Sequence, residues 1–122
     1  MASQGKVQVL NAANLETLLN QGGIVFVDFW AKWCGPCRQF APVFERVAAQ
    51  YDTIVFASVD VEQEVSLAEL FQIRSIPHLM VFKSGIAIYS ESGTVPESVL
   101  HELATQALNV DVSGVLKELD QE

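Results

Sequence analysis

Two stretches of this chain, Ile24–Trp30 and Ile54–Asp60, are apolar at almost every position instead of at every second one. A strand that alternates has one face in water; a strand that does not is covered on both faces, normally by helices. Both runs therefore read as buried central strands. Leu79–Phe82 is a third apolar strand, and Lys83-Ser84-Gly85-Ile86 reads as a tight reversal into Ile86–Ser90, an antiparallel hairpin. Val7–Leu10 is a short strand near the start.

Between these strands the period changes from continuous to helical. Leu15, Leu18 and Leu19 follow Asn11 and Asn14, either of which can cap a helix, and Gln21-Gly22-Gly23 ends it with the left-handed backbone that glycine tolerates. Phe40, Val43, Phe44, Val47, Ala48 and Tyr51 form one stripe at i, i+3, i+4, i+7, i+8 and i+11. Pro42 lies inside that stripe, withholds a hydrogen bond from the carbonyl of Arg38 and predicts a kink. Ser66–Phe71 is a short helix, and Pro96 opens a last clear helix with Val99, Leu100, Leu103, Ala104 and Leu108 apolar. The order β-α-β-α-β-α-β-β-α calls for an α/β sandwich, a mixed sheet with flanking helices.

Three features stand out from this pattern. Asp28 is an acid in the middle of a buried strand. Glu62, Glu64 and Glu69 form a charge run that reads as a solvated face. In the tail, Val112, Val115, Leu116 and Leu119 recur at helical spacing with Ser113 as a cap. A helix that short needs something to dock on. The expected surface is the chain's own body, with a partner protein as the alternative.

The length of 122 residues fits one domain able to bury a core, and 50% hydrophobic with 18% charged residues fits a compact protein. The net charge of -8 argues against nucleic acid or an anionic membrane surface as partner. No apolar run reaches the roughly 18–20 residues of a membrane span. Met1–Lys6 lacks a signal peptide's apolar stretch, so the expected location is the cytoplasm, where thiols are kept reduced.

In that setting the two cysteines carry the chemistry. Trp33-Cys34-Gly35-Pro36-Cys37 follows the first central strand and precedes the Phe40 stripe: strand, tight turn, helix, with a dithiol at the junction. A thiolate is the nucleophile of disulfide exchange, and a helix N-terminus favours it through free N–H groups and the helix dipole. Cys34 falls at the N-cap and reads as the attacking thiol; Cys37, one turn deeper and more protected, reads as the resolving one. Gly35 is read as permitting the tight turn and Pro36 as stiffening it. Asp28 is placed to take the proton of Cys37, directly or through water, and burial should raise its pKa into the range useful to a general base. The competing reading makes Asp28 a partly exposed or purely structural acid. For the cysteines the competing reading is zinc, with His78 and His101 as further ligands. No second cysteine pair exists and the histidines lack close ligand spacing, so no metal is expected and His101 reads as an ordinary helix residue.

The run Val27-Asp28-Phe29-Trp30-Ala31-Lys32-Trp33-Cys34-Gly35-Pro36-Cys37, followed in order by Ala41-Pro42, Ile73-Arg74-Ser75-Ile76-Pro77, Val81-Phe82-Lys83-Ser84-Gly85 and Gly93, strongly resembles the thioredoxin family. The resemblance covers about residues 5–108. It implies a thioredoxin-like fold of five mixed strands and four helices over residues 1–108; residues 109–122 lie beyond the family's usual end and are an extension whose own periodicity predicts a short amphipathic helix. It implies a cis peptide bond between Ile76 and Pro77, a redox-active disulfide between Cys34 and Cys37, and a substrate-gripping rim of Trp33, Ile76, Pro77 and Gly93. Further implications are oxidised proteins as substrates, a thioredoxin reductase, flavin- or ferredoxin-linked, as electron donor, no bound cofactor in the protein itself, and a monomer.

Two positions depart from the family pattern: Ser58 stands where many bacterial relatives carry lysine, and His78 where threonine is usual. His78 reads as a tolerated strand residue, with substrate contact or pH sensing as the alternative. The function expected is protein-disulfide reduction by dithiol exchange. Its rivals are a redox-independent binding or chaperone module on the same rim, and an oxidase or isomerase distinguished by reduction potential.

Overall fold

The structure is a computed structural model that describes residues 6–120; residues 1–5 and 121–122, the outer ends of the expected domain and tail, lie outside the described residues. The elements are β1 (Val7–Val9), α1 (Ala12–Asn20), β2 (Ile24–Trp30), α2 (Gly35–Ala48), β3 (Ile54–Asp60), α3 (Val65–Leu70), β4 (His78–Lys83), β5 (Ile86–Ser92), α4 (Glu97–Asn109) and α5 (Ser113–Asp120). One five-stranded sheet runs in the order β1-β3-β2-β4-β5. β3 pairs in parallel with both β1 and β2, whereas β2–β4 and β4–β5 are antiparallel. The expected mixed sheet with flanking helices is the one observed.

The non-alternating strands are buried as their composition requires. Six of the seven residues of β2 are buried and the seventh, Trp30, partly so. Their side chains divide between two cores. Ile24 and Phe26 face a core completed by Phe40, Phe44 and Val47 of α2 and by Leu100, Ala104 and Ala107 of α4. Val25, Val27 and Phe29 face the other, with Leu15 of α1, Leu67 of α3, and Met80 and Phe82 of β4. Strand alternation then places Asp28 on the α2 side, directly after Phe26.

Local chemistry explains where the helices begin and end. Asn11 and Asn14 cap α1 together: the Asn14 N–H donates to Asn11 Oδ1 at 3.0 Å, and the Asn11 N–H donates to Asn14 Oδ1 at 2.6 Å. Gly22 and Gly23, at φ 77° and 79°, turn the chain out of α1. α2 continues through Pro42 to Ala48. Tyr51, expected to extend its stripe, lies past the helix end, where its ring still packs on Phe56 and its hydroxyl shares a 2.8 Å hydrogen bond with His101 Nδ1. At the far end Lys83 Nζ donates to the carbonyl oxygens of Ala107, Leu108 and Val110, at 2.7, 3.3 and 2.6 Å.

The tail forms the expected helix but does not dock as expected. Val112 is buried, while Val115, Leu116 and Leu119 remain 46, 36 and 55% exposed. The stripe is anchored at one end only, through Val112, so its other three apolar side chains stay partly in water. Ser113 is also not the cap; it is already helical, and its N–H is taken by Asp111 Oδ1 at 2.9 Å.

Candidate active site

β2 ends at Trp30 and α2 begins at Gly35, so the loop between them has only four residues and its geometry follows from both ends. Cys34 is the N-cap of α2, with extended backbone (φ -86°, ψ 109°); the Cys37 N–H donates to its sulfur at 3.1 Å and the Arg38 N–H to its carbonyl at 3.2 Å. The sulfur thus holds the place an N-capping side-chain oxygen usually takes, facing free N–H groups at the positive end of the helix. No acidic residue lies in the first turn to offset that field. Cys34 and Cys37 are joined by a disulfide, their Cα atoms 5.2 Å apart.

Exposure separates the two cysteines little, at 4 and 2%. Position separates them more. Cys34 Sγ lies 3.8 Å from the carbonyl oxygen of Ile76, beside the exposed Trp33. Cys37 instead lines the cleft beneath α2 that also holds Asp28. The Ile76–Pro77 peptide bond is cis, and the Gly93 N–H donates to the Pro77 carbonyl at 2.7 Å. The structure therefore brings Cys34 to Ile76 and Gly93 to Pro77, with Trp33 exposed next to Cys34 in the chain, while Cys37 and Asp28 line the cleft under α2.

Gly35 is the first residue of α2, its φ is not positive, and a Cβ there would meet nothing within 4 Å, so the turn as seen does not require glycine. Gly93 does need it, at φ 101°. Pro36 sits in the first turn, where its missing N–H breaks no helical bond.

Asp28 is 3% exposed, and its Oδ1 has no hydrogen-bond partner. Burial alone pushes its carboxyl up to about 7. Ser58 lies directly opposite on β3, with no cation at that position. The cleft around the acid has a volume of about 470 Å³. The reading of Asp28 as a partly exposed acid is excluded by this burial.

Two contributors had no local signature. Arg38 Nη1 donates to the Lys32 carbonyl at 2.6 Å, tying the loop before Cys34 to the first turn of α2. Glu62, read as part of a solvated face, accepts the Trp33 Nε1–H at 2.5 Å. Asp60 shapes the loop that presents it, accepting the Glu62 N–H at 2.9 Å. An exposed tryptophan and a surplus of acids nearby were the available signals; the pairing spans 29 residues.

Each histidine has a side-chain partner of its own. His78 packs edge-on against Phe29 at 6.2 Å, and its Nε2 pairs with Ser90 Oγ at 2.8 Å; burial lowers its pKa. His101 links α4 to Tyr51. Among the described residues, no three His, Cys, Asp or Glu side chains are grouped to hold a metal ion.

Residues 6–106 match the Thioredoxin family model. A relative from Streptomyces coelicolor described as putative thioredoxin 2 is 37% identical over 113 residues, spanning 93% of this chain and 84% of its own. Thioredoxin 1 of Synechococcus elongatus is 42% identical over 93 residues, spanning 75 and 87%. Among solved structures, a Plasmodium falciparum thioredoxin superposes with TM-score 0.76 at 33% identity, covering 82% of this chain and 98% of that one. A mutant thioredoxin from Halobacterium salinarum gives 0.81 at 28% identity, covering 91 and 98%. The matched stretch takes in all five strands and the Cys34–Cys37 pair of this chain, and the chain belongs to the thioredoxin family of thiol–disulfide oxidoreductases.

Proposed function

We propose that this protein reduces disulfides in other proteins, with Cys34 as the attacking and Cys37 as the resolving thiol. The observation that carries the assignment of roles is the placement of Cys34 at the helix N-cap, on the outer rim, and of Cys37 in the Asp28 cleft. In the reduced protein the Cys34 thiolate attacks one sulfur of a substrate disulfide. A new S–S bond forms, the substrate's own breaks, and one substrate thiolate leaves. Cys37 then passes its proton to Asp28 and attacks Cys34 Sγ, breaking the mixed disulfide and releasing the second substrate thiolate. Two electrons pass from the dithiol to the substrate, and the product is the Cys34–Cys37 disulfide seen here.

Asp28 suits the proton-acceptor role because its raised pKa lies near neutral pH, where a base is both available and strong enough. Trp33, Ile76, Pro77 and Gly93 grip an extended substrate segment, the Ile76 carbonyl lying beside the attacking sulfur. A thioredoxin reductase returns the disulfide to the dithiol. In this reading the protein works as a cytoplasmic monomer contributing to redox homeostasis and electron transport, with residues 1–108 as the redox domain and 109–122 as an appended extension.

Insulin disulfide reduction with dithiothreitol tests the assignment. The native protein accelerates the reaction, Cys34→Ser abolishes the acceleration, and Cys37→Ser accumulates mixed disulfides detectable by mass spectrometry. Equal activity in all three would sink the mechanism.

A further inference from the structure

The cleft under α2 has a shape and a chemistry that disulfide exchange does not use up. Its floor is a row across the sheet. Asp28 on β2 is in register with Ser58 on β3, and Ser58 with Val9 on the edge strand β1. The row thus runs from a buried carboxylate to an open edge, two strand spacings or about 10 Å away. Val9 is 73% exposed, which marks the mouth. Short side chains at Ser58 below and Ala41 above leave the space of about 470 Å³.

We propose that this cleft binds a primary alkylammonium ion, its ammonium on Asp28 and Ser58 and its hydrocarbon stem between Val7, Val9, Ala41 and Phe44. The closed end offers acceptors: Asp28 Oδ1, 3% exposed and without a partner, and the Ser58 hydroxyl. A buried carboxylate oxygen left unpaired is costly, and an N–H donor relieves that cost. The walls are otherwise mostly apolar, which suits a methylene chain and not a hydrated metal ion. The other charged groups lining the cleft come from α2 alone, Glu45 and Arg38; Cys37 lines it too, but in the disulfide it has no proton to give. Glu45 adds to the preference for a cation. Arg38 opposes it but already donates to the Lys32 carbonyl. The overall charge of -8 draws cations toward the mouth.

The site shares Asp28 with the exchange reaction, so the test uses the oxidised protein, in which Cys37 carries no proton and no exchange runs. The full chain is titrated with n-butylammonium chloride, n-butanol and tetramethylammonium chloride while backbone amide shifts are followed by NMR. Butylammonium is expected to give saturable shifts at Val9, Ala41 and Ser58, with at least tenfold weaker binding of the other two. Its affinity should rise about tenfold from pH 6 to pH 8 as Asp28 ionises near 7. Asp28→Asn should weaken it at least tenfold, and Val9→Trp, at an exposed position, should close the mouth with the same result. Nα-acetyl-lysine methylamide separates the sources. Binding as tight as butylammonium's shows that a lysine side chain of a docked protein can fill the site; butylammonium binding alone restricts it to free amines. Equal binding of butylammonium and butanol, absence of saturable shifts, or affinity unchanged in Asp28→Asn overturns the proposal.

Discussion

The two faces of the central strand β2 are built from the same seven residues and to opposite ends. On the α1 and α3 side, Val25, Val27 and Phe29 are at most 2% exposed, and Phe29 contacts the ring of Phe71 at 6.0 Å. That face is closed. On the α2 side, Ile24 and Phe26 begin an equally dense core, with Phe26 against Phe56 at 4.9 Å, but the next position is Asp28 and the packing opens into a cleft. A single strand therefore carries a stabilising face and a working face. The difference teaches where this fold gives up stability: two residues from the strand's end, under the first turn of the helix that holds the dithiol.

Substitutions on the two faces should behave in opposite ways. Phe29→Ala leaves a cavity in the closed face and should cost about 3–5 kcal/mol of unfolding free energy, measured by urea denaturation. A cost near zero would break the comparison at its stronger end. Asp28→Asn should do the reverse. The folded-state pKa of Asp28, about 7, lies above the unfolded value near 3.8. The folded protein therefore holds this proton where the unfolded chain has lost it, and native stability falls as pH rises from about 4 to about 7. Asp28→Asn removes that slope. It should stabilise the protein at pH 8 by on the order of 3–4 kcal/mol and leave it nearly unchanged below pH 4. A gain that is the same at both pH values would show that packing, and not charge burial, sets the difference between the faces.

The same substitution sharpens what the open face gives in return. Resolution of the mixed disulfide should slow roughly 10–100-fold in Asp28→Asn, and its pH dependence near 7 should disappear. Stopped-flow measurement of product release over pH 6–8 reads both. The smallest effect belongs outside the strand. Glu62→Ala removes an exposed hydrogen bond to Trp33 Nε1. It should change stability by about 0.5 kcal/mol or less while raising the rim's mobility, seen as lower Trp33 fluorescence anisotropy.

Most of the architecture was legible because its signals are local. Continuous apolar runs marked β2 and β3, paired asparagines marked the start of α1, and glycines marked its end. Asp28 could be placed inside because apolar residues flank it on both sides. What stayed hidden depends on neighbours far along the chain. Arg38 and Glu62 act through side chains whose partners are fixed only when loops meet. Gly35 invited the wrong reason, since glycine in a turn signals freedom without showing that the freedom is used. The α5 stripe shows a related limit: periodicity identifies an apolar face but says nothing about whether anything covers it.

Lys83 bears on how the molecule holds together at its far end. An ammonium has three N–H bonds, and here three carbonyl oxygens from the last turn of α4 and the residue after it receive them. The end of the β4 strand is thereby buttoned to the end of the last long helix, 24 to 27 residues later, by one side chain. That button should set where proteolysis starts: Lys83→Met is expected to let limited proteolysis cut the C-terminal end of α4 and α5 first, before the sheet is attacked.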